Sequence, residues 1–584
     1  MTWNRPERDE RILGGWTLEL RDDEIADLRW RGRRVLRSVR AVVRDGDWNT
    51  TPLAVDSVAA SDTAIELAVR TTDAAFVGNL RIEYGGDDLT IGLDLRATRD
   101  VDTNRTGLVV LHPPQVAGRP LRVDHSDGTT EATAFPARIS AHQPVLDIAA
   151  LGWTHDGARI DLHFDGDVFE MEDQRNWTDA SFKTYNRPLS LPFPYRVPAG
   201  EHVVQSVRLH ATATAERESS TATPTLALTA GGRFPTIGVA AASAPDPAPA
   251  CDPVGSVLLV ELDLAGLDWR AALDRAATSG LPLDVRLVLD PCAPQKVADA
   301  VAALDGIDVV RATAFHQVSD ARHVSDAESI GLLRDALTAH GRSIDVIGGS
   351  RSHFTELNRE LHRLPPDLDG IAVTVTPLFH SADTEQIVES VAMQRLVAEE
   401  TVERAAGLPV HVGPVTLRSR FNDVAAVPQP LSPHPDLRDG YGPQFTGTDD
   451  PRQQASELAA WTLASAAALA IPGVSSLVWF EEWGARGIRS AGGVDLPVAA
   501  ALRELADLAH LADGDDVLLS GPSPDGLVWA IGARTAEGDG ILVANISDGT
   551  RTVTVTTDAG TASVTLAPAT FTRISLPRPE DPPA

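Results

Sequence analysis

Between residues 230 and 507 the sequence repeats one unit eight times: a short apolar run, followed in most cases by a helical pattern. The runs fall at 236–242, 257–264, 283–289, 307–314, 344–348, 371–376, 410–415 and 475–480, with helical periodicity at 269–279, 294–304, 330–340 and 384–406. Near-continuous apolarity means that both faces of each strand are buried, as a parallel sheet wrapped in helices requires. Eight such strands close into a (β/α)8 barrel of the TIM type. An open doubly wound sheet is disfavoured, because no Gly-x-Gly-x-x-Gly follows the first run. The alanine-rich stretch 455–471 reads as a helix leading into the last strand, with little enough charge to be buried against a neighbouring domain.

On either side of this region the period changes to two. Segments such as 16–20, 64–69, 80–84 and 89–95 alternate apolar with polar residues, and Asp, Gly and Asn clusters separate them. That is the pattern of antiparallel sheets buried on one face. It returns after Val517, at 527–531, 540–545, 551–555, 562–566 and 571–575. The fold class is therefore multidomain α/β plus β. A large N-terminal β-sandwich (1–224) and a small C-terminal β-sandwich (511–584) flank the barrel (225–510). The Ala/Thr/Ser/Glu-rich stretch 213–224 reads as a linker, and the Pro- and acid-rich 578–584 as a frayed tail.

Composition narrows the function. With 51 basic against 82 acidic residues the formal charge is −31, so the chain lacks the basic footprint that nucleic acid or an anionic membrane needs. An anionic substrate would need a local cluster of arginine or lysine. Cys251 and Cys292, the only cysteines, show no metal-ligand spacing and are expected to be reduced. The first residues are charged, with no apolar stretch of the signal-peptide kind, and no run approaches the roughly 18 apolar residues of a membrane span. A cytoplasmic location is expected. Lys183 and Lys296 are the only lysines, and tyrosine is nearly as rare.

In a β/α barrel, side chains at the C-terminal ends of the strands meet in one pocket. Here those ends carry Glu261, Asp263, Asp290, His316, Gln317, Glu356, His380, Asp383, Arg418, Asn422, Glu481 and Trp483. Alternation turns one of Glu481 and Glu482 inward, and Glu481 is the better candidate because Trp483 and Gly484 then start a turn. If Glu356, which could instead sit in the first turn of a helix, reached the same pocket, the two would form the carboxylate pair that glycoside hydrolysis needs. The long coil 418–452 after the seventh strand would overhang this face. No metal site is expected: His-Glu-x-x-His is absent, and a set of His316, His380 and Asp383 is the weaker reading. No nucleophile elbow, P-loop or dinucleotide fingerprint is present, so no cofactor is expected.

A second concentration lies outside the barrel, at 169–185. Glu170, Glu172, Asp173, Arg175, Asn176, Asp179, Lys183 and Tyr185 are interleaved there with Phe169, Trp177 and Phe182. Rings alternating with hydrogen-bonding groups make a natural platform for a sugar. The same composition would suit a polar interface against the barrel. The two are compatible if the segment walls the barrel pocket.

The run Phe-Glu-Met-Glu-Asp-Gln-Arg-Asn-Trp at 169–177 resembles D-apionate lactonases. So do 111–114, 118–121, 135–144, 354–359, 376–383, 413–422 and 480–487, and the likeness spans nearly the whole chain. It implies hydrolysis of a branched sugar-acid lactone, a small-molecule substrate; it fixes neither catalytic residues nor oligomeric state. The expected mechanism has Glu481 activating water, Lys183 or Arg418 stabilising the oxyanion, and His316 or His380 protonating the leaving hydroxyl, while Glu172, Asp173 and Asn176 hold sugar hydroxyls. Two alternatives are a glycosidase pairing Glu481 with Glu356 or Glu172, and a non-catalytic carbohydrate-binding protein.

Overall fold

A computed structural model describes residues 3, 8–214, 224–316, 323–422 and 429–577. Most of the expected linker, the whole expected tail, Gln317 and part of the coil 418–452 lie outside these residues.

The eight apolar runs form one parallel sheet in which each strand pairs with its sequence neighbour. Both ends of the strand order are halves of the fifth strand, Asp345–Val346 and Gly348–Gly349, and the first strand (Thr236–Ala240) pairs the last (Val474–Glu481). The sheet therefore closes into the expected barrel. Seven α-helices surround it among the described residues; a loop without a helix joins the first two strands. Helix Glu457–Leu469 is buried from Leu458 to its end and packs on the C-terminal strands Val528–Thr535, Gly538–Asn545 and Thr570–Leu576. Its lack of charge is thus explained by two apolar neighbours.

The N-terminal sandwich consists of an eight-stranded and a nine-stranded antiparallel sheet over one core that holds Trp16, Phe76, Phe135 and Phe169. At the other end a five-stranded and a three-stranded sheet form the C-terminal sandwich. It borrows Thr225–Ala227 and Thr229–Ala230, which the expected boundary gives to the barrel. Among the described residues no helix is long and apolar enough to cross a membrane.

Polar contacts fix how the N-terminal sandwich sits on the barrel. Glu389, in the helix after the sixth strand, accepts from Arg37 at 2.7 Å and Arg34 at 3.0 Å. Thr178 donates to the Thr376 carbonyl at 2.6 Å, and Arg359 to the Ala141 carbonyl at 2.8 Å. Arg37 is buried and Glu389 partly so, and breaking such a pair on one side leaves a charge short of both water and partner, which holds the joint in place.

Candidate functional site: a charged cleft between sandwich and barrel

Strand register builds one side of the site. In the eight-stranded sheet, Arg33–Arg44 pairs with Arg105–His112, which pairs with Phe182–Asn186, which pairs with Phe169–Asp173. Residues opposite one another in an antiparallel pair point to the same side, and residues two apart on a strand share a face. One face therefore carries Glu24, Arg40, Arg44, Arg105, Lys183, Tyr185, Glu170 and Glu172. The alternate residues Val39, Ala41, Val43, Leu108, Val110, Phe182 and Met171 enter the sandwich core. A small apolar group of Val42, Val109, Leu111 and Tyr185 floors the charged face.

The barrel supplies the opposite wall. His380 and Ser381, beyond the sixth strand (Ile371–Val375), and Gln386, in the following helix, face this sheet across a cleft. Gln174, Asp179, Ser181 and Lys183 from the 169–185 segment line it as well. His380 Nδ1 lies 2.7 Å from an Asp179 carboxylate oxygen. The imidazole therefore donates from Nδ1 and keeps its lone pair on Nε2. Burial holds its pKa below the usual histidine value against the opposing pull of Asp179, so it is neutral at pH 7.

Lys183 forms a close ion pair with Glu172 and lies 4.9 Å from the centre of the Tyr185 ring. Burial, with help from Arg105 and Arg44, pushes this ammonium down to about 8, although Glu172 opposes the shift. Burial would raise the Glu172 carboxyl, but the Lys183 charge wins and holds it at about 2. Tyr185 donates to Glu170 at 2.5 Å, and burial, then Glu172, raises the phenol far above its usual value.

Much of the 169–185 segment does structural work. Arg175 grips Asp173 at 2.7 and 2.8 Å and donates to the Pro136 and Arg138 carbonyls. Asn176 donates to the Ser140 carbonyl at 2.5 Å and accepts from Asn358 at 3.0 Å. These three side chains are fully committed to folding the segment and docking it. Trp177 stacks on Phe379 and meets the edge of His380 at 5.1 Å, so it braces the imidazole.

The barrel mouth proper is a separate cleft that shares no lining residue with the first. Its central carboxylate, Glu261, accepts from Arg351 at 2.8 Å and lies 3.0 Å from Arg420, which together hold it at about 2 despite burial. Arg418 is paired with Asp450 at 2.8 Å. Glu481 is tied down: it accepts from Ser243 through both N–H and hydroxyl, at 2.9 and 2.7 Å, and from Arg486 at 3.1 Å. A bulge at Phe480, whose φ is +48°, interrupts the alternation that would aim Glu481 into the pocket.

Glu356 is buried in the first turn of helix Phe354–Glu360, and neither it nor Glu481 lines either cleft. Glu172, the other partner considered for Glu481, is held by Lys183. His316 bonds Asp326, the N-cap of helix Ala327–Ala339. Asp383 accepts from Ser381 at 2.6 Å, Trp483 packs on Ala242 and Ala244, and Asn422 is exposed. The ligand atoms of His316, Asp326 and Glu328 lie within 4.8 Å of one another, but Asp326 is already engaged as that cap. His380 and Asp383 are not part of that group.

Sequence reasoning left Asp179 without a role and missed Arg40, Arg44 and Arg105. Alternation over 39–44 carries the signal for two of them, since it sets Arg40 and Arg44 on the face opposite Val39, Ala41 and Val43, which enter the core.

Residues 1–214 match the family model described as D-apionate lactonase, N-terminal domain, and residues 237–510 the one described as D-apionate lactonase, TIM barrel domain. A D-apionate lactonase of Brucella anthropi is 30% identical over 460 residues, covering 70% of this chain and 72% of that protein. Among solved structures, a beta-arabinopyranosidase is 9% identical with a TM-score of 0.31, the alignment covering 95% of this chain and 98% of that one. A GH30 endoxylanase from Clostridium papyrosolvens C71 is 9% identical with a TM-score of 0.39, covering 60% and 98%.

Proposed function

The chain belongs to the D-apionate lactonase family, and from that premise we propose that it opens a sugar-acid lactone in the cleft between sandwich and barrel. One observation carries the reading: His380, oriented by Asp179, lines a cleft that also holds the buried Lys183.

Water attacks the lactone carbonyl as His380 Nε2 takes its proton, and Asp179 steadies the imidazolium that forms. The carbonyl oxygen becomes an oxyanion facing the cations of the sheet. On collapse the ring C–O bond breaks, and Lys183 Nζ protonates the departing alkoxide. A carboxylic acid and a hydroxyl form first; the acid gives up its proton to leave the carboxylate, His380 returns its proton to solvent and Lys183 regains one. This assignment gives the water-activating role to His380 instead of Glu481, because both oxygens of Glu481 are already bound. His380 needs the proton off and Lys183 needs it on. Activity should therefore rise through a pKa below the usual histidine value and fall near pH 8.

The test is to incubate the protein with five-carbon sugar-acid lactones, apionolactone included, and separately with nitrophenyl glycosides. Acid release without phenolate is expected. Phenolate without acid, or neither product, would count against the reading.

A further inference from the structure

Arg105 and Arg44 stand directly opposite each other in the antiparallel register, on the face that floors the cleft, and both line it. Like charges at that position repel. Most other cations there have a partner: Arg37 has Glu389, Arg40 has Asp23 at 3.2 Å, and Lys183 has Glu172. Among the described residues, neither Arg44 nor Arg105 has a carboxylate in ion-pair range.

Arg105 is only 5% exposed, and its Nε has no hydrogen-bond partner. Its guanidinium carbon sits 3.7 Å from the centre of the Tyr185 ring and 5.3 Å from that of Trp48, so two aromatic rings hold its orientation. Arg44 donates to the Trp48 carbonyl at 3.2 Å. Burial, then Arg105 and Arg40, pushes its guanidinium down to about 10. In a chain of net charge −31, two neighbouring guanidiniums left without carboxylates in a buried cleft call for an anion from outside.

We propose that Arg105 and Arg44 form a carboxylate subsite that binds the open-chain sugar acid, taking the carboxylate that ring opening creates. Planar guanidiniums suit a carboxylate because each presents paired N–H donors to two oxygens. The lactone is neutral and the product anionic, so the subsite favours product over substrate and makes the enzyme sensitive to inhibition by aldonates. The identity of the product rests on the lactonase reading; the subsite itself does not.

Binding is measured by calorimetry on the full chain with arabinonate and with arabinitol, which differ in having or lacking the carboxylate. Arabinonate should bind the wild type at least tenfold more tightly. Arg105→Gln should lose about 10- to 100-fold of arabinonate affinity and leave arabinitol nearly unchanged. Arg44→Gln, at a less buried position, should show a smaller loss of the same kind and covers the case in which the first variant does not fold. Equal affinities in the wild type, or equal losses for both ligands, would overturn the proposal. Selective arabinonate binding by a protein that opens no lactone would keep the subsite and remove the lactonase reading.

Discussion

The two clefts contain similar side chains and treat them in opposite ways. At the barrel mouth Glu261 has two arginines, and around it Arg418 has Asp450 and Glu481 has Arg486 and Ser243. In the cleft under the sandwich, two guanidiniums lack carboxylates and a neutral imidazole keeps one nitrogen for a ligand. Satisfied charges hold a structure together; charges left short of partners inside a cleft are where a ligand gains most. On the proposed reading, chemistry sits beside the barrel mouth, where the sandwich meets the sixth strand.

Replacements can break that contrast, and the largest effect should come from the dyad. Asp179→Asn leaves the shape intact but offers His380 a poor acceptor, so lactone turnover should fall by roughly 100- to 10,000-fold. Near-normal turnover would detach Asp179 from the chemistry. Lys183→Met should cost about 100-fold and flatten the alkaline limb of the pH profile near pH 8; a limb that persists would assign it to another group. Glu481→Gln should change turnover only a few-fold while lowering the melting temperature, since it loosens Ser243 and Arg486. A collapse of turnover with normal stability would return Glu481 to the mechanism.

The smallest effect concerns acid stability. Glu261 is held at about 2, below its unfolded value, so its contribution is complete above that unfolded value and is lost as pH falls toward 2. Melting curves from pH 6 to pH 3 should show wild type losing stability over Glu261→Gln. Parallel curves would mean that the Arg351–Glu261–Arg420 group is not a stabilising element.

The barrel was legible because each of its strands is buried on both faces, and that alone writes an apolar run into the sequence. The sandwich alternation was equally plain. What the alternation could not supply was pairing: Arg44 and Arg105 lie far apart in the chain, and only the register of two strands sets them face to face. The segment 169–185 stood out by composition. Yet composition cannot separate Lys183, which faces the cleft, from Asp173, Arg175 and Asn176, which are spent on carbonyls and on each other. At Glu481 the period-two rule met the Phe480 bulge, a backbone event with no side-chain signature.

The most direct test sets one residue from each cleft against the other: kcat/KM for sugar-lactone hydrolysis by His380→Gln and Glu261→Gln, measured side by side with their melting temperatures. His380→Gln should lose about 100-fold or more and melt near wild type, whereas Glu261→Gln should stay within a few-fold and melt lower. Full activity in the His380 variant with loss in a stably folded Glu261 variant would place the chemistry at the barrel mouth and contradict the account.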